Sequence, residues 1–147
     1  MLKNKKRGVM KRIVCAAALL LTTLPVLAAA DLTGKWAGSF KSVVNDEKRE
    51  DEVLYLDLKQ TGSELTGRVG PSVELNWPMS KGKVEGTKVT FEVQMSPAGQ
   101  PGPLMVFALQ LVDDHLKGSA KAEFQGTKMT AMIDAQRVRL NLRPESR

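Results

Sequence analysis

At 147 residues the chain has room for one domain of ordinary size and little more. Its formal charge of +6 invites a nucleic-acid partner, but six of the 22 bases stand in the first twelve positions, where there is no acid; without them, 16 bases face 16 acids. Bulk charge therefore excludes a polyanion partner, and a lone cysteine, Cys15, excludes a disulfide framework.

The head of the chain reads as an export signal. Lys3, Lys5, Lys6, Arg7, Lys11 and Arg12 are followed by a run from Ile13 to Leu27 that is apolar apart from Thr22, Thr23 and Pro25, and then by Ala28, Ala29 and Ala30. That is the n-region, h-region and A-x-A order of a secretory signal peptide. The apolar run is shorter than the roughly 20 residues of a membrane-spanning helix. Cys15 does not end the run, so the segment does not read as a lipoprotein signal. Cleavage after Ala28 or Ala30 is expected, dividing the chain into a signal peptide (1–30) and a mature domain (31–147). The mature domain is expected in the periplasm or outside the cell, free of the membrane.

From Asp31 onward the pattern alternates with period two, the signature of half-buried strands. Trp36, Gly38, Phe40, Ser42 and Val44 share one face of a first strand, and Leu54, Leu56 and Leu58 share one face of a second. Leu65, Gly67 and Val69 follow, then a short strand near Lys81 to Glu85. Val89, Phe91, Val93 and Met95 make the cleanest amphipathic strand. Met105, Phe107, Leu109 and Leu111 come next, then Leu116, Gly118, Ala120 and Ala122, and finally Met129, Ile133 and Ala135. Tight turns are expected at Gln60–Ser63, Glu85–Thr87 and Asp113–Asp114, and long connections at 45–52, 70–80 and 96–103. Alternating short and long connections predict an all-β fold: one antiparallel up-and-down barrel of about eight strands, with a closed end and an open end. The count falls to seven if 70–81 is loop throughout.

Two resemblances accompany this pattern. Leu32-Thr33-Gly34-Lys35-Trp36, opening the first strand, resembles the G-x-W motif of the calycin superfamily, to which avidins and lipocalins belong. The resemblance implies that Trp36 plugs the closed end and that a basic residue of the last strand, Arg137 or alternatively Arg139, packs across its ring. Biotin binding does not carry over. An avidin has a polar Asn-Asp-Leu-Gly-Ser stretch after this Trp and a Tyr after a later Thr-Gly, where this chain has Ala37-Gly38-Ser39-Phe40 and Arg68-Val69. Over nearly the whole mature chain, from Asp31 through Leu58-Lys59-Gln60, Leu65-Thr66-Gly67, Lys83-Val84-Glu85-Gly86 and Leu116-Lys117-Gly118, the sequence is similar to small secreted β-rich modules of bacteria. That implies a stand-alone or accessory module and no particular chemistry.

Chemical candidates are few. His115, the only histidine, lies in Asp113-Asp114-His115-Leu116 and reads as a turn residue; no second His or Cys completes a zinc site. The run 45–52 holds five acids and two bases but no turn glycine, so it reads as a solvated loop and not as a calcium site. Trp77 stands in the longest connection, as a lid on the barrel rim or as a contact for a ligand or protein. No catalytic residue, metal or cofactor is expected. The leading expectation is a non-enzymatic barrel that takes a small apolar or amphipathic ligand at its open end, with Phe40, Trp77, Met79, Met95 and Met105 as its contacts. The alternative is a solid-core module that meets a protein partner through its loops. An interior cavity of roughly 300 Å³ or more favours the ligand, and a filled interior favours the loops.

Overall fold

A computed structural model describes residues 31–139; the expected signal segment 1–30, with Cys15, lies outside the described residues. In chain order the strands are β1 (Gly34–Val44), β2 (Glu47–Lys48), β3 (Glu52–Thr61), β4 (Glu64–Gly70), β5 (Trp77–Glu85), β6 (Lys88–Gln94), β7 (Leu104–Val112), β8 (His115–Phe124) and β9 (Thr127–Arg137). A short 3-10 turn, Pro97–Gly99, lies between β6 and β7. The two-residue β2 folds back on the end of β1. The eight long strands pair antiparallel, each with the next, and β9 pairs with β1 from Trp36↔Arg137 to Val44↔Met129. The sheet is therefore a closed eight-stranded up-and-down barrel without a free long edge, which removes the pairing hazard of an open sheet.

Alternation explains the core. Leu54, Leu56 and Leu58 on β3, Val89, Phe91 and Val93 on β6, and Met105, Phe107 and Leu109 on β7 are all buried. One row shows how bulk is balanced across the barrel: Phe91, Phe107, Ala120, Ala131 and Ser42 are consecutive register partners, and all five are buried. The Phe91 and Phe107 rings stack at 4.6 Å, and the small residues of β8 and β9 leave them the space. Along the outside, Lys41, Asp57, Lys59, Lys88, Lys117 and Lys121 face solvent. An apolar inside and a charged outside reverse the pattern of a lipid-facing barrel.

Three hairpins use two consecutive residues at positive φ: Asn45–Asp46, Asp113–Asp114 and Gln125–Gly126. Such pairs match the right-handed twist of the flanking strands, and Asn, Asp and Gly tolerate them best. Asn45–Asp46 refines one expectation: the acidic run 45–52 is exposed throughout, as a solvated loop would be, but it opens with a tight turn. It is tied to the β8–β9 turn, with Asn45 N donating to Lys128 O at 3.0 Å and Lys128 N donating to Asn45 Oδ1 at 3.1 Å.

The fourth long strand is a correction. β5 begins at Trp77, not near Lys81, so Trp77 and Met79 belong to a strand and not to a connection. Its register slips between Ser80 and Lys83, where Lys81 takes a φ of +51°. This bulge swaps the inward parity from odd (Trp77, Met79) to even (Val84), so simple alternation does not run through it.

The closed end is sealed from below by residues 31–33. Leu32 and Trp36 are 1% and 0% exposed, and the indole N–H donates to Leu32 O at 3.0 Å. The Arg137 guanidinium lies over the Trp36 ring at 4.5 Å and donates to Thr33 O and Asp31 O, both at 2.7 Å. Gln60 completes the seal: its side-chain oxygen accepts from Leu32 N at 3.0 Å.

Candidate functional site

The opposite end of the barrel holds a chamber of about 200 Å³. Leu54, Val69 and Phe107 form its lower wall, Phe40, Val93 and Met105 its sides, and Glu52, Pro71, Trp77 and Met95 its mouth. Phe40 and Met105 are buried, whereas Trp77 and Met95 are only half-buried, so the mouth offers apolar surface to solvent. Strand geometry sets this arrangement. Trp77 is held inward by pairing with Val69, Met105 by pairing with Val93 and Ala122, and Phe40 by pairing with Ile133.

Four of the five residues expected at a ligand site, Phe40, Trp77, Met95 and Met105, line this chamber. Met79 does not. It lies two residues below Trp77 on the same inward parity, opposite Val93, and packs against the core. Beneath the chamber the barrel is filled by Phe91, Leu56, Leu58, Val89 and Leu116. The volume is below the roughly 300 Å³ typical of drug-sized pockets. It exceeds the 150 Å³ of an apolar cavity that admits benzene. The space suits one ring or a short alkyl chain.

Reading the sequence missed Glu52. Among the described residues it is the only ionisable one lining the chamber, and it is the register partner of Phe40. The signal was present: the inward parity of Leu54, Leu56 and Leu58 extends back to position 52.

The connections at the mouth are braced. Met95 N donates to Pro103 O at 3.0 Å and Gln94 Nε2 to Gly102 O at 2.6 Å, which pins the proline-rich β6–β7 connection at its base. In the β4–β5 connection, Leu75 N donates to Ser72 Oγ at 2.9 Å and Asn76 Nδ2 to Val73 O at 2.7 Å. Arg68 clamps its end, donating through Nη2 to Asn76 O at 3.1 Å and through Nε to Asn76 Oδ1.

A larger depression of about 530 Å³ lies between that connection and the outer faces of β1, β3 and β4. Its walls mix Lys35 and Arg68 with Asp57 and Glu74 around Tyr55, and Arg68 is already engaged by Asn76. It has no net charge and lies on the outside, so it defines a ligand class less well than the apolar chamber does.

His115 is the first residue of β8 and not a member of the turn itself. Its Nδ1 lies 2.6 Å from Asp134 Oδ1, with Lys117 Nζ 3.8 Å from Asp134 Oδ2, all on the outer wall. This half-exposed trio ties β8 to β9. Among the described residues, no three His, Cys, Asp or Glu side chains converge as a metal site would need. No family model, curated protein or solved structure matches this chain.

Proposed function

We propose that the protein is an exported, non-enzymatic barrel that holds the apolar end of a small molecule in its open-end chamber. The observation that carries this reading is an apolar hollow of about 200 Å³, short of the roughly 300 Å³ expected for a whole drug-sized ligand but enough for one apolar end, whose mouth presents half-buried Trp77 and Met95. Apolar surface left at a rim gains most when a ligand covers it. The basic and apolar head of the chain supports export, and the calycin-like G-x-W opening supports a ligand-carrying barrel by analogy, although fold alone does not dictate function. A single carboxylate supplies neither an acid–base pair nor an activated nucleophile, which argues against catalysis.

A six-carbon alcohol is a suitable probe. Each buried methylene contributes about 0.8 kcal/mol, so hexan-1-ol should bind with a dissociation constant on the order of 1 mM. In a methionine-methyl NMR titration the Met95 and Met105 signals should move together and saturate, while exposed Met132 on the outer wall should not. Unmoved Met95 and Met105 signals at saturating alcohol would remove the reading. A second reading is favoured by Val73 and Leu75, 69% and 53% exposed on the β4–β5 connection, and by the filled lower barrel. Under that reading the contact is a protein partner at this connection, and Val73→Ser with Leu75→Ser would abolish its binding while leaving hexan-1-ol without effect.

A further inference from the structure

We infer that the ligand of the open-end chamber is a small alkylammonium, its carbon chain in the hollow and its positive group at Glu52. This inference rests on the binding reading above and names the ligand's charge. Glu52 occupies an inward register position at the top of β3, opposite Phe40, and is the one ionisable side chain in an otherwise apolar lining. It is exposed, so a bound head group can reach it without the carboxylate first being buried alone. Among the described residues no Lys, Arg or His nitrogen lies within ion-pair distance of it; Lys41, on the neighbouring strand, reaches Asp51 instead, at 3.9 Å.

The surroundings have the same sign. The β1–β3 connection leading into Glu52 holds four further acids, Asp46, Glu47, Glu50 and Asp51, against Lys48 and Arg49. Of the other connections at this end, 71–76 contributes only Glu74, 95–103 contributes no charge, and the β8–β9 turn is flanked by Glu123 and Lys128, which are register partners of opposite sign. An anionic head group would meet like charge there, and a neutral one would leave the carboxylate unused. Trp77 adds to the preference, because an indole attracts a cation placed near its face. Polarity fixes the direction of entry: the apolar end goes down among Leu54, Val69 and Phe107, and the charge stays at the mouth. A lysine side chain entering tip-first would bury its ammonium against that apolar wall, so the occupant is a free alkylamine and not a protein side chain.

The test compares three probes of equal chain length on the whole protein at pH 7 and low salt: hexylammonium, hexan-1-ol and hexanoate. Methionine-methyl NMR reports occupancy of the chamber. Hexylammonium should bind about fivefold or more tightly than hexanoate, with hexan-1-ol between them, since exposed ion pairs shift affinity by a factor of a few. The gap should shrink as salt is raised, because screening acts within about 10 Å at 0.1 M. In Glu52→Gln the gap between the two ionic probes should shrink by more than half, and the remainder, due to the neighbouring acids and Trp77, should fall further as salt is raised. Hexanoate binding as tightly as hexylammonium, or a gap that survives both salt and Glu52→Gln, overturns the inference while hexan-1-ol binding keeps the chamber reading intact. Failure of all three probes to move Met95 and Met105 removes both.

Discussion

Trp36 concentrates several interactions in one side chain. It is fully buried, its N–H is satisfied by Leu32 O, and Arg137 lies over its face. Cation–π attraction of this kind is worth roughly 0.5–2 kcal/mol, and truncating a buried Trp costs about 3–5 kcal/mol. Trp36→Ala should lose that amount in urea unfolding, a large share of the 5–15 kcal/mol of a typical domain. If it does not fold, Trp36→Phe provides a milder variant that keeps an aromatic face. Half-buried Trp77→Ala should cost clearly less. Asp31, at the same end, is held below its ordinary carboxylate value of 3.8, first by hydrogen bonding from the Thr33 side chain, then by the Thr33 backbone N–H, with a smaller contribution from the Arg137 charge. A lowered folded-state value means that ionised Asp31 favours the folded chain. Its contribution is complete at neutral pH and is lost as the pH falls through that lowered value. An NMR titration of Asp31 should therefore have its midpoint below 3.8, and Thr33→Val should raise it. His115 behaves differently from a free turn residue because Asp134 holds it at 2.6 Å. Both groups are substantially exposed, so His115→Ala should cost no more than about 1 kcal/mol in the same unfolding assay.

At the level of strands, the seam where β9 meets β1 leaves no room for a side chain at Gly38. A Cβ added at Gly38 would lie 1.9 Å from Asp134 O and 2.4 Å from the Ala135 Cα, both main-chain atoms that cannot swing away. Gly38→Ala should push the first and last strands apart at the row that closes the barrel, costing about 3 kcal/mol or more. Thermal unfolding measures it, and Ala37→Ser on the outward side of the same strand provides the neutral comparison. The strands were largely readable because each of their faces keeps one parity: Leu54-Leu56-Leu58, Val89-Phe91-Val93 and Met105-Phe107-Leu109 predict their own burial. β5 escaped that reading because the bulge at Lys81 swaps parity in mid-strand, and a bulge leaves no period to count. The tight turn inside the solvated acidic run is hidden for a related reason. Its composition suggests solvation, but Asn45–Asp46 takes the left-handed pair of a tight turn, and the bonds to Lys128 join positions 83 apart in sequence. The His115–Asp134 contact is likewise hidden, since it depends on β8–β9 register. At the chamber, parity points to Phe40, Met95 and Met105, but Glu52 ends a run whose composition reads as loop, and Met79, expected as a contact, packs against the core below the chamber.

The whole molecule divides along its axis. The lower barrel is a sealed core plugged by Leu32 and Trp36. The upper barrel leaves a small hollow because Trp77 and Met95 stop short of filling it. A closed hydrogen-bonded wall would let such a hollow persist without a ligand, so that on the proposed reading binding need not order the chain first. On the proposed reading, the size of the hollow decides which part of a ligand enters: about 200 Å³ would admit a ring or short chain and leave the bulk of a larger molecule outside the mouth. The most direct test is where a bound probe lies. In an intermolecular nuclear Overhauser spectrum with hexan-1-ol, the terminal methyl should give cross-peaks to Leu54, Met105 and Phe107, and the methylene beside the hydroxyl should give them to Trp77 and Met95. Cross-peaks to Tyr55 and Val73 in the outer depression, or none at all at saturating alcohol, would contradict the account.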